Sequence, residues 1–233
     1  MNKFVSALAV LTVGGTVLAS GVATAAAAPA APNSSNAHKP HKVARSTSAT
    51  HGKAAPLTST TAAKASAKTS ATPKVNANDT VVAKQYNFLS YRALDADTDT
   101  LGGNGTRVQL WDDAGSDAAN QTWVYTSTDT AGLYKIDNLA SGRSLDADSD
   151  TIGGNGTTVQ LWDDLGNGQA NQLWWLIDTG YYDVDSGNEL FKWQNYQSGR
   201  VLDADSDTVA DNGTTVQLWD DLGVEAFNQD WEF

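Results

Sequence analysis

Three carboxylates on alternate residues occur three times in this chain: "DADTDT" at 95–100, and "DADSDT" at both 146–151 and 203–208. Such oxygens can hold a hard cation, work as an acid and base pair on a glycosidic bond, or accept hydrogen bonds from hydroxyl groups. Calcium is the first chemistry to test. An EF-hand loop needs Gly at position 6 and a bidentate Glu at position 12. Counting from Asp146, those positions are Thr151 and Thr157, and the other copies place Thr100 and Thr106, and Thr208 and Thr214, there. A full EF-hand is excluded. A looser calcium site on Asp148 and Asp150 stays open, and no other cofactor is implied. Hydrolysis is the second. All three histidines (His38, His41, His51) lie far from the repeats, so a His-based triad or zinc site is not expected among them. Leader, spacer and repeats account for the chain and leave no room for a separate catalytic domain, so the expectation is a protein that is not an enzyme.

Hydroxyl recognition fits the neighbouring residues better. A sugar offers hydroxyls around its edge and a patch of C–H on one face, so its site needs a flat aromatic wall and a few fixed polar groups. In the second copy, Gln160 and Trp162 share one side of "VQLW", away from Val159 and Leu161. Asp146 alternates in the same way with Leu145 and Ala147. Carboxylate and aromatic can therefore border one shallow outer pocket. Asp146 would accept from sugar hydroxyls, Asn171 would donate and accept, and Gln160 would steady Asp146 or Asn171, or touch the sugar itself.

The elements that must place these groups are repeated. "KQYNFLSYRALDADTDTLGGNGTRVQLWDDAGSDAANQTW" (84–123) aligns without a gap to 135–174 and to 192–231. The copies are offset by 51 and then 57 residues, which puts a six-residue insertion near "DTGYYDVDSGNELF". Each unit reads as β throughout: "VQLWDD" alternates, and the "GGNGTT" before it in the second copy carries an Asn-Gly turn signal. Units that cannot bury an apolar face alone stack around a common axis. The expected fold is all-β and closed, with repeats at about 84–132, 133–190 and 191–233.

Three Q-x-W motifs, Gln121 to Trp123, Gln172 to Trp174 and Gln229 to Trp231, each follow an "LD" strand and a "VQLW" strand. This pattern resembles the ricin B-type lectins, carbohydrate-binding β-trefoils with one Q-x-W per repeat, and the likeness covers about 84–233. It implies sugar contacts by Asp95, Gln109, Trp111 and Asn120, by Asp146, Gln160, Trp162 and Asn171, and by Asp203, Gln217, Trp219 and Asn228. The Q-x-W tryptophans (Trp123, Trp174, Trp231) are expected in the core, with their glutamines (Gln121, Gln172, Gln229) satisfying buried backbone. Leu94, Leu110, Leu145, Leu161, Leu202 and Leu218 are expected beside them. The resemblance suggests galactose-type ligands first and plant polysaccharides next. Many family members carry a disulfide within each repeat. The corresponding positions here are Ala93 and Asp113, Ser144 and Asp164, and Val201 and Asp221.

The whole chain sets the compartment. Residues 1–28 carry a single Lys3, an uncharged "FVSALAVLTVGGTVLASGVA" and the small-x-small Ala23-Thr24-Ala25, and read as a secretory signal peptide. An uncleaved anchor is the alternative. Residues 29–80 are rich in Ala, Ser, Thr, Lys and Pro and read as a disordered linker. Seven Lys and Arg against one acid leave it at +6, whereas residues 81–233 carry 7 bases and 26 acids, a charge of −19. The basic linker could associate with an anionic cell wall or surface, and the acidic domain excludes nucleic acid as a partner. With no cysteine in the chain, no disulfide is available, and the 81–233 domain must be held by its core. The expectation is a secreted or surface-associated monomer.

Overall fold

The computed structural model describes residues 42–45 and 79–233; the leader and the remainder of the 29–80 segment lie outside the described residues. Within the segment expected to be a disordered linker, Val43–Arg45 instead forms β1, and β2 (Thr80–Ala83) begins at its last residue. The first repeat holds β3 (Tyr86–Asn87), β4 (Ala93–Ala96), β5 (Thr106–Trp111) and β6 (Trp123–Ser127). The second holds β7 (Leu133–Asn138), β8 (Ser144–Ala147), β9 (Thr157–Trp162) and β10 (Leu173–Asp183). The third holds β11 (Glu189–Asn195), β12 (Val201–Ala204), β13 (Thr214–Trp219) and β14 (Trp231–Glu232). Among the described residues, helix is limited to three single 3-10 turns, at Ala119–Gln121, Ala170–Gln172 and Phe227–Gln229.

Each "LDA" strand forms a hairpin with the "VQLW" strand that follows it. Leu94 faces Leu110, Leu145 faces Leu161 and Leu202 faces Leu218. The hairpins then pair in a ring: Thr106 opposite Leu161, Thr157 opposite Leu218, and Thr214 opposite Leu110. That closed cycle is the β-trefoil, and closure removes the open sheet edges that would otherwise invite aggregation.

The six paired leucines are fully buried, as are Trp123, Trp174 and Trp231. Burying a side chain of this size contributes about 1.5–3 kcal/mol. The indoles are polar at one atom, and each Nε1 donates to the carbonyl of its repeat's "LD" leucine: Trp123 to Leu94 at 2.9 Å, Trp174 to Leu145 at 3.0 Å and Trp231 to Leu202 at 3.1 Å. Fixed in this way, the Q-x-W tryptophan holds the end of its repeat against the strand that carries the first aspartate.

The insertion lengthens the β10–β11 hairpin. β10 has 11 residues where β6 has five. Its distal half extends beyond the pairing with β7, and β1 covers the exposed edge, with Val43 opposite Asp183 and Arg45 opposite Tyr181. A short piece of the basic segment is therefore part of the sheet.

Candidate functional site

The first aspartate of each acidic triplet sits directly across its hairpin from the "VQLW" glutamine: Asp95 from Gln109, Asp146 from Gln160, Asp203 from Gln217. Cross-strand partners share a face, so the alternation read from sequence holds. Asp146 is nonetheless only 3% exposed. The cause is the 3-10 turn that runs into Q-x-W, Ala170–Gln172, which packs on β8 and lays the Asn171 and Gln172 amides on the carboxylate.

Asp146 Oδ1 accepts from Gln160 Nε2 at 3.2 Å, and Oδ2 accepts from Asn171 Nδ2 at 2.8 Å and Gln172 Nε2 at 3.0 Å. The first repeat repeats this with Gln109 at 3.1 Å, Asn120 at 2.8 Å and Gln121 at 3.0 Å on Asp95. On Asp203 the donors are Gln217 at 3.2 Å, Asn228 at 2.9 Å and Gln229 at 2.9 Å. Burial pushes all three carboxyls above the usual carboxylate range, the amides pull them part of the way back, and the next aspartate along pushes up again.

The Q-x-W glutamines satisfy buried backbone, as expected, and they also hold the site carboxylate. Gln172 Nε2 also donates to Asp163 O at 2.9 Å while its Oε1 accepts from Leu165 N at 3.0 Å. It thus ties the site carboxylate to the loop that follows "VQLW". Asn171 was expected to donate and accept, but its Nδ2 is committed to Asp146 and to Ala147 O at 3.0 Å. That leaves its Oδ1 as the amide's acceptor.

The aromatic wall is present in all three repeats. Trp111 is 41% exposed, and Trp162 and Trp219 are half-buried. In the second repeat Asp146, Gln160, Trp162 and Asn171 line one open cleft of about 520 Å³, joined by Asp148 and Asp150 at its rim. The third repeat gathers Asp203, Gln217, Trp219 and Asn228 around a cleft of about 470 Å³. Sequence reasoning missed Leu165, Gln169 and Gln197 in the first of these clefts and Leu222 in the second. Gln197 belongs to the third repeat, and a single unit's pattern carries no sign that a neighbour reaches in.

The same is true of the Asn-Gly turns. The turn of one repeat packs beneath the site of the next. A methyl group on Gly156 would lie 3.8 Å from Gln217 Oε1, and one on Gly105 3.8 Å from Gln160 Oε1. One on Gly213 would lie 3.8 Å from the Trp111 ring, closing the circle. All three glycines have φ near +85°, a conformation costly for other residues. The asparagines clasp the next repeat: Asn155 Oδ1 accepts from Asp220 N at 2.8 Å and Arg200 Nε at 2.9 Å, and its Nδ2 donates to Asp220 Oδ2 at 3.0 Å. Asn104 does the same with Asp163 and Arg143, and Asn212 with Asp112 and Arg92.

The second carboxylate of the triplet is used in loop geometry: Asp148 Oδ1 accepts from Asp150 N at 3.1 Å and its Oδ2 from Thr151 Oγ1 at 3.1 Å. Among the described residues no group of three or more His, Cys, Asp or Glu side chains gathers as a metal site. At the positions where the resemblance puts half of each disulfide, Asp164 and Asp221 pair with Lys135 and Lys192, each at 2.5 Å, and Asp113 pairs with Lys84. Hydrogen bonding from Lys84 and from Lys135 holds the Asp113 and Asp164 carboxyls below the ordinary range.

A family model described as the ricin-type beta-trefoil lectin domain-like family matches residues 59–162 and 119–219. No curated protein matches the chain. Among solved structures, a designed threefold symmetric protein, ThreeFoil, is 26% identical with a TM-score of 0.53, over 64% of this chain and 95% of its own. The Rhizoctonia solani agglutinin is 19% identical with a TM-score of 0.52, over 70% of this chain and 98% of its own. A mosquitocidal holotoxin is 19% identical with a TM-score of 0.52 over 68% of this chain, which spans only 17% of that protein. With the family model covering well over half of its residues, the chain belongs to the ricin-type β-trefoil lectin domain-like family.

Proposed function

We propose that this chain is an exported, non-catalytic glycan-binding protein with one sugar site per repeat. The observation that carries the reading is the buried aspartate fixed by three amides beside a partly exposed tryptophan, present three times. Three donors occupy three of the carboxylate's four acceptor positions, leaving one on Oδ1 for a hydroxyl. With the free Oδ1 of Asn171, each site presents two acceptors and an aromatic plane, a match for adjacent sugar hydroxyls and a C–H face. Family membership supports the same reading. Galactose-type glycans are the first candidates and plant polysaccharides the second.

Catalysis finds less support, because the carboxylate in each site is held on both oxygens rather than placed to exchange a proton. Three sites on one rigid body instead raise avidity for a polymer even if each is about millimolar, roughly 4 kcal/mol. A glycan array on the 81–233 fragment, with and without calcium, tests the proposal. Binding to galactose-terminated or arabinan and xylan probes is expected, and Trp162→Ala should lose about a third of the tryptophan fluorescence response if the three sites act alike. No ligand on the array would leave a trefoil of purely structural role, and release of reducing sugar would make it an enzyme. Export rests on residues 1–28, and the mass of the chain recovered from the culture medium would show whether the leader is removed.

A further inference from the structure

Two departures from threefold symmetry meet at one place. The six-residue insertion extends β10, and the x of the third Q-x-W is Asp230 where the other repeats have Thr122 and Leu173. Between them lies a cavity of about 210 Å³, separate from the residues of the repeat clefts. Its walls are apolar, with Ile177 and Tyr181 from β10, Val43 from β1, and Val224 and Phe227 from the last loop. Asp230 and Lys192 line it as well. The Asp230 side chain is 6% exposed, yet its Oδ1 has no hydrogen-bond partner. The nearest cation, Lys192 Nζ, is 4.0 Å away and already bonded to Asp221 at 2.5 Å and to Gly223 O at 2.8 Å. A buried carboxylate left in this way is costly unless something supplies the missing donor.

The lining residues Asp178, Asp221, Glu225 and Asp230 face a single base, Lys192, for a net charge of −3 when all are ionised. Glu225 holds a φ of +73°, one of two non-glycine residues in the left-handed region among those described. The volume lies below the roughly 300–1,000 Å³ of sites for drug-sized molecules.

We propose that this cavity is a further ligand site for a small organic cation, a primary ammonium on a short aryl or alkyl body. The ammonium supplies the donors and the charge that Asp230 lacks, and Tyr181 and Phe227 offer rings to the body and the cation. The proposal does not rest on the sugar reading. Burial raises Asp230 to about 7, with Lys192 pulling down and Asp221 pushing up. The carboxylate is therefore protonated below that pH, and cation binding strengthens as pH rises through it.

Calorimetric titration of the full chain with benzylamine, benzyl alcohol and benzoate tests this. At about pH 8, benzylamine is expected to bind at millimolar concentration, benzyl alcohol about tenfold more weakly or worse, and benzoate not at all, since a charge-assisted bond carries the difference. Asp230→Asn should cost benzylamine about tenfold and abolish its pH dependence. Val224 is 61% exposed, so Val224→Trp can fill the mouth without burdening the fold, and it should block benzylamine while leaving any sugar response unchanged. Equal binding of the alcohol, tighter binding of benzoate, no binding of any probe, or benzylamine affinity untouched by Val224→Trp would each overturn the proposal. Should Asp230→Asn fail to fold by circular dichroism, the Trp variant decides.

Discussion

Replacing Asn155 by Ala should weaken a site to which that residue does not belong. From sequence Asn155 is the first half of a turn, in the second repeat. In the structure only Gly156 of that turn is left-handed, at φ +84°, so alanine at 155 meets no backbone penalty. What is lost is the clasp on the third repeat, three hydrogen bonds to Asp220 and Arg200. The site is exposed and water can replace part of each bond, so about 0.5–1 kcal/mol apiece gives a loss of about 1.5–3 kcal/mol. For a domain of this size that lowers Tm by about 3–12 °C, measurable by scanning calorimetry. The functional consequence is sharper. Released from Asp220, the turn no longer holds Gly156 under Gln217 and Trp219, so the third site should lose affinity while the second keeps it. With Trp111 and Trp162 changed to Phe, Trp219 reports on the third site, and with Trp111 and Trp219 changed, Trp162 reports on the second. A Tm within about 1 °C of the parent, or equal weakening of both sites, would refute the inter-repeat clasp.

Two other outcomes follow from the site carboxylates. Because burial raises Asp95, Asp146 and Asp203, each protonates above the ordinary aspartate value of 3.8, and sugar binding should be lost as pH falls through that higher range. Fluorescence titrations along a pH series would contradict this if the midpoint lay at or below 3.8. The stability sign is opposite: a raised acid stabilises the fold below its unfolded pKa and loses that contribution as pH rises through the folded one. Substitution Gln172→Leu keeps the volume but strands Asp163 O and Leu165 N and removes one donor from Asp146. About 2–5 kcal/mol of stability should go in urea denaturation, and with it the second site's sugar response.

The sequence was most readable where physics acts within one strand. Alternation put Leu145 and Leu161 inside and Asp146, Gln160 and Trp162 together on the other face, because strand period and hairpin pairing leave no other choice once the repeats are aligned. It was least readable where a group's environment is supplied by another unit. Nothing local to "LDAD" says that an amide turn 25 residues later will cover the aspartate, as Asn171 does. Nor does "GGNG" reveal that its asparagine serves the next repeat's Asp and Arg. The insertion could be counted from the unequal spacing, but the chamber it makes with Asp230 depends on three segments far apart in the chain.

The ring of clasps bears on how three like units hold together in a fold that has no covalent bridge. Each site is built on a turn from the previous repeat, so a repeat cannot loosen without disturbing the pocket after it. In place of the disulfide that the family resemblance implies, each repeat has a lysine and aspartate pair, partly exposed and worth about 0–1 kcal/mol. Such pairs cannot substitute for a covalent crosslink in strength. Three inter-repeat clasps, each several hydrogen bonds, supply stability at the turns that pack against the glutamine or tryptophan of the next repeat's "VQLW" strand. The closure of the fold and the proposed sites therefore draw on one set of residues. The threefold pattern is broken at Asp230 in the third repeat and at the extended hairpin that leaves the second, and the cavity between them shares no lining residue with the clefts of those two repeats.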